Sequence, residues 1–131
     1  MSGETNIESL LKNMNPKLNE GEYVFCTVPS VTELNMDDVL GAFKEEEGWT
    51  IILHKELADK LGYSYSYVAA WITLTIHSSL EAVGLTAAFS SALAKHFISC
   101  NVVAAYYHDH IFVAKQDAGK ALNVLKKLAQ I

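Results

Sequence analysis

The chain has 131 residues, enough for one ordinary domain or two very small ones. Fifteen acidic residues against ten lysines, with no arginine, give a formal net charge of −5. This argues against nucleic acid as a partner, because phosphate recognition needs a basic footprint and favours guanidinium. Half the residues are hydrophobic and only two are proline, so a folded core is expected rather than disorder. No apolar run reaches the roughly 18 residues of a membrane helix, so no membrane partner is expected. The polar, acidic start Met1-Ser2-Gly3-Glu4 does not read as a signal peptide. Two distant cysteines, Cys26 and Cys100, fit buried thiols in a reducing, cytoplasmic setting.

In chain order, Thr5-Asn6-Ile7-Glu8 has the spacing of a capping box. Ile7, Leu10, Leu11 and Met14 then mark one face of a short helix that stops before Pro16. Asn19-Glu20-Gly21 predicts a turn, and Tyr23 to Val28 a strand ended by Pro29. Residues 30–37 are polar and irregular. Val39 to Phe43 predicts a short strand or a helical turn, Glu45-Glu46-Glu47-Gly48 a solvated hairpin turn, and Trp49 to Leu53 a strand. A helix from His54 or Lys55 ends at Gly62.

Beyond the connector Tyr63–Tyr67, the stretch Trp71 to Ile76 alternates, with Ile72, Leu74 and Ile76 on one face and Trp71, Thr73 and Thr75 on the other. Residues 77–84 predict a loop. Leu85, Phe89, Leu93 and Phe97 predict a helix. Val102–Tyr107 and Ile111–Val113 predict two strands joined through His108-Asp109-His110, with Asp109 in the turn. A final helix from about Asp117 buries Ala118, Ala121, Leu122, Leu125, Leu128 and Ala129.

The two halves echo each other. Ile51, Lys55, Ala58 and Lys60 recur sixty residues later as Ile111, Lys115, Ala118 and Lys120, whereas Thr27 and Ser30 recur forty-eight residues later as Thr75 and Ser78. The offset grows by 12 residues between these points, about one ordinary helix. The first copy is therefore read as degenerate, without its first helix. Strands and helices in the order β-α-β-β-α predict an α+β protein of the ferredoxin-like βαββαβ plan. The predicted organisation is an N-terminal helix and lead-in over residues 1–18, a degenerate first module over 19–68 and a second over 69–131. Since the chain ends in a helix, the second module lacks its last strand. The first copy is expected to supply it, with Tyr23–Val28 as the candidate, so that the modules interlock.

The segments Trp71–Thr75, Ser78–Ala88 and Asn101–Val113 resemble the ACT-domain superfamily, and more closely the small stand-alone bacterial proteins with tandem ACT-like modules. The sequence departs from that pattern at Phe97, where glycine is usual, and at Lys115, where proline is common. The resemblance implies a non-enzymatic regulatory protein that binds a small molecule, often an amino acid, at an interface between modules. It implies no cofactor, and a homodimer is expected.

In a βαββαβ unit the end of the first strand meets the start of the third. That brings His77, Ser78, Ser79, Glu81 and Val83, and the helix start Gly84-Leu85-Thr86, toward His108, Asp109 and His110. Backbone N–H groups at the helix start and the Ser78, Ser79 or Thr86 hydroxyls are suited to a carboxylate in a chain without arginine. Asp109 or Glu81 is suited to an ammonium group. Against this stands the plainer reading that Ser-Ser and Gly cap the helix and the protein is a ligand-free interaction module. A third reading is a zinc or nickel site at His77, His108 and His110, since residues two apart on a strand point to the same side. A hydrolase is disfavoured, because no G-x-S-x-G elbow is present.

Overall fold

The computed structural model describes residues 7–75 and 84–130. The chain divides into two compact units. One is the continuous stretch Gly21–Ala69, and the other combines Met1–Glu20 with Ala70–Ile131. The first is thus an insertion, in sequence, within the second.

After α1 (Ile7–Asn13) and β1 (Pro16–Leu18), the inserted unit contains β2 (Tyr23–Val28), β3 (Gly41–Glu45), β4 (Gly48–His54), α2 (Lys55–Leu61) and the first residues of β5 (Val68–Leu74). Its antiparallel sheet has the order β3-β4-β2-β5. β2 pairs with β4 along its whole length, from Tyr23 opposite His54 to Val28 opposite Trp49. Strand alternation sends Val24, Cys26, Val28, Ile51 and Leu53 into one core. Among the described residues only α2 covers that face as an α-helix. Where the first helix of the plan is missing, Val31, Leu34 and Val39 from the intervening stretch pack on the core instead, with one 3₁₀ turn at Met36–Asp38. This agrees with the expected loss. The β3–β4 turn is Glu46-Glu47, since Glu45 pairs with Gly48. That register moves the strand from the expected 39–43 to Gly41–Glu45. Gly62 ends α2 in the left-handed conformation at φ 75°, as its position predicts.

The second unit contains α1 (Ile7–Asn13), β1 (Pro16–Leu18), the rest of β5, α3 (Leu85–Ala94), β6 (Asn101–Ala104), β7 (Asp109–Ala114) and α4 (Ala118–Leu128). The expected N-cap Thr5 lies outside the described residues. β7 neighbours both β5 and β6, and β1 pairs antiparallel with β5, Pro16 opposite Leu74 and Leu18 opposite Ile72. The order β1-β5-β7-β6 is the 4-1-3-2 order of a βαββαβ sheet, with β1 as its fourth strand. The missing strand therefore comes from Pro16–Leu18 and not from Tyr23–Val28, which pairs with β5 only at Val68 and Ala69, inside the inserted unit. Those two pairs also explain why β5 starts at Val68, three residues before the alternating stretch. Leu10, Met14, Ile72, Leu74, Leu85, Phe89, Leu93, Ile111, Val113, Ala121 and Leu125 form the core.

Two expectations fail here. α3 ends at Ala94, and Phe97 is not on its buried stripe but 93% exposed with φ 59°. The N–H of Ile98 donates to the Leu93 carbonyl at 3.1 Å and that of Phe97 to Ala94 at 3.0 Å. This is a Schellman ending with Phe97 in the position that favours glycine, sealed by burial of Ile98 next to Leu93. The second failure is the β6–β7 hairpin. The Ala105 N–H donates to the His108 carbonyl at 3.1 Å, so the turn is Tyr106-Tyr107 and Asp109 opens β7. Ile111 and Val113 must face the core, and a period of two puts Asp109 on their face. The tyrosines, read as strand residues, stand exposed at the tip with ring centroids 5.0 Å apart.

Candidate functional site

The residues at the start of β7 divide by strand alternation. Asp109 lies on the core face and is 8% exposed. Burial pushes its carboxyl above the ordinary carboxylate range, an effect that the neighbouring His108 opposes. His110 lies on the opposite face, half-buried. Its Nδ1 accepts from Trp71 Nε1–H at 3.0 Å and lies 3.1 Å from Thr73 Oγ1. Asn19 Nδ2 in turn donates to Thr73 Oγ1 at 2.9 Å. The Trp71 donor leaves Nδ1 as an acceptor, so the ring carries its proton on Nε2. Burial, then the proximity of His108, lowers the His110 pKa. The Trp71 ring stacks on Phe112 at 6.5 Å between centroids. The pairs Thr73–His110 and Trp71–Phe112 run in opposite senses, so β5 and β7 are antiparallel and the end of β5 meets the start of β7, as the plan requires.

The start of α3 offers backbone donors. Gly84 is its N-cap at φ 90°, a conformation that suits glycine, and no side chain caps the helix among the described residues. The Ala88 N–H makes the bond to the Gly84 carbonyl at 2.9 Å, so the preceding N–H groups of Leu85, Thr86 and Ala87 have no partner within the helix. Leu85 is buried beneath the helix start, and Gly84 and Thr86 are exposed. His77, Ser78, Ser79, Glu81 and Val83 lie outside the described residues.

The remaining chemistry is sparse. No group of three or more histidine, cysteine or acidic residues among the described residues is arranged to hold a metal ion. The His108–His110 pair does not form a metal site through His110 Nδ1, which is occupied by Trp71 and Thr73. Cys26 is buried and Cys100 half-buried. Burial raises both thiols, that of Cys100 to about 11, which suppresses the thiolate a nucleophile needs. The Trp71–His110–Thr73–Asn19 cluster was not legible as a unit in the sequence. The one available signal was the set of polar residues, Thr73 and His110, at alternate positions of otherwise apolar strands.

Comparison with known proteins fits this architecture. An ACT-domain profile matches residues 2–70, and a second ACT-domain profile matches residues 66–127. A solved Vibrio cholerae protein, described as of unknown function and a possible transport protein, is 49% identical. The match covers 94% of this chain and 95% of that one, with a TM-score of 0.84. A solved Agrobacterium tumefaciens protein shares the fold at 15% identity and a TM-score of 0.66, covering 88% of this chain and 89% of that one. The ligand-free regulatory subunit of aspartate kinase from Thermus thermophilus does so at 8% identity and a TM-score of 0.64, covering 88% and 96%. No curated protein matches the sequence. No described helix is long and apolar enough to cross a membrane. ACT domains are regulatory, non-catalytic modules, and with two profiles matched in tandem this chain belongs to the ACT-domain family.

Proposed function

We propose that the protein is a regulatory sensor that binds a free amino acid, or a similar small zwitterion, at the edge shared by residues 77–86 and 108–110. The ligand carboxylate takes the N–H groups at the start of α3 and the hydroxyls of Ser78, Ser79 or Thr86. The ammonium group takes Asp109, with Glu81 as the second acceptor. His108 borders the site, His110 backs it from the other face of β7 through Trp71 and Thr73, and His77, Val83, Gly84 and Leu85 form its wall. The observation that carries this reading is the buried carboxylate of Asp109 at the first residue of β7. A carboxylate largely withdrawn from water is disfavoured, and an ammonium group beside it offsets that cost. Membership of a family of regulatory, non-catalytic modules supports the same reading.

A thermal-shift screen of the purified protein against the twenty amino acids at millimolar concentration tests it. A ligand at a hundred times its dissociation constant stabilises by about 2.7 kcal/mol, a shift of several degrees in a protein this size. The expected result is one or two responding amino acids, with the response lost in Asp109→Asn and in Ser79→Ala. A flat screen overturns the proposal in favour of a ligand-free interaction module. A response to zinc or nickel alone, lost in His110→Ala, moves the function to the histidines.

A further inference from the structure

Charge is distributed very unevenly between the two units. Gly21–Ala69 carries nine acidic residues and three lysines, a net −6, while the remainder carries six acidic residues and seven lysines, a net +1. Within the second unit, a groove of about 360 Å³ lies between α3 and α4. Its floor is apolar, made by Ala92, Val124 and Leu128, and its rim holds Lys95, Lys120 and Lys127. No carboxylate lines it among the described residues. All three lysines are exposed, and none makes an ion pair among the described residues. The groove has room for one or two side chains.

The inserted unit carries the complementary shape. The β3–β4 hairpin ends in Glu46-Glu47, both exposed and without an ion pair among the described residues. Next to this tip, Phe43 is 71% exposed on β3, the edge strand of its sheet. Glu45 is held by the Thr50 hydroxyl and keeps the tip in register. Lys44, the one cation of the hairpin, falls on the face of the strand opposite Phe43. An exposed aromatic beside two carboxylates fits an apolar floor beneath three ammonium groups.

We propose that the α3–α4 groove is the docking site for the β3–β4 hairpin of a second copy of this chain. Phe43 seats on Ala92, Val124 and Leu128, and Glu46 and Glu47 meet Lys95, Lys120 and Lys127. The contact is between unlike surfaces, so each copy offers one hairpin and one groove. Charge complementarity of this kind sets partner choice and makes association sensitive to salt. The proposal does not depend on the amino-acid site.

Sedimentation of the full chain at low and high salt tests it, with two charge-reversed variants, Lys95→Glu/Lys127→Glu and Glu46→Lys/Glu47→Lys. The wild type is expected to associate at low salt and dissociate as salt rises. Each variant alone should weaken association at least about tenfold. Both alter only exposed positions, so each variant should still unfold cooperatively, with the groove variant a few degrees lower because it places Glu at the C-terminal ends of α3 and α4, which separates lost association from lost folding. An equimolar mixture of the two variants should regain association, because the reversed groove meets the reversed hairpin. A wild type that stays monomeric overturns the proposal. So does association that ignores salt and both variants, or a mixture that does not recover.

Discussion

Two residues share the left-handed backbone conformation at helix C-termini with opposite consequences. Gly62 adopts φ 75° with nothing within 4 Å of an added Cβ, so Gly62→Ala tests the backbone cost alone, about 1 kcal/mol. Phe97 adopts φ 59° with its ring in solvent, so it bears that cost without packing to offset it. Phe97→Gly is therefore expected to stabilise by roughly 1 kcal/mol in urea denaturation. A loss of stability would mean that the ring makes contacts in solution. At the start of β7, Asp109 holds a raised carboxyl pKa because it is buried. Its charged form is disfavoured by folding, so Asp109→Asn should raise the melting temperature at neutral pH. That gain should vanish below the ordinary carboxylate range, where both states are protonated. The same substitution should abolish the amino-acid response, separating stability from binding.

His110 has a folded pKa below its ordinary value of 6.5, since burial, the charge of His108 and the donor from Trp71 all oppose protonation. The unfolded chain therefore binds its proton first, and this contribution to stability is present above about pH 6.5 and is lost as pH falls through the window below it. His110→Gln keeps an acceptor for Trp71 but does not titrate. The wild type should lose stability relative to this variant as pH falls below about 6.5, read from denaturation midpoints at each pH. Parallel profiles would mean that His110 does not carry the proton.

Among the elements, the helix cores were legible because the 3.6-residue period singles out a buried face. Leu85, Phe89 and Leu93 are buried as that period predicts. Phe89 is fully buried, and Phe89→Ala should cost about 3–5 kcal/mol by equilibrium denaturation. A cost below 1 kcal/mol would contradict the packing of α3 on its sheet. Element ends were less legible. Tyr106 and Tyr107 have strand-forming side chains, yet they form the turn because core residues two positions apart fix the register of β7. Pro16–Leu18 was missed as a strand because three residues carry no periodicity, and the segment is a strand only by virtue of its pairing with β5.

At the scale of the molecule, the order of the chain does not follow the order of the units. β1 is the fourth strand of the sheet whose first strand is β5, and Leu10 and Met14 belong to the core built by residues 70–131. A fragment of residues 70–131 alone is therefore expected to lack cooperative unfolding, and a peptide of residues 1–20 added in trans should restore it, as followed by circular dichroism. A fragment that folds without the peptide would remove β1 and α1 from the structural account.

Composition, charge, periodicity and motif resemblance were enough to determine the α+β class, the ferredoxin-like plan, the family and the loss of one helix from the first module. Each depends on local spacing or on residue counts, which the linear chain displays directly. The identity of the strand that completes the second sheet, the tyrosine turn, the burial of Asp109 and the Trp71–His110–Thr73–Asn19 cluster were decided only in three dimensions. All of these depend on pairing between segments up to about sixty residues apart, and such pairing is chosen by the packing of the whole core rather than by any local preference.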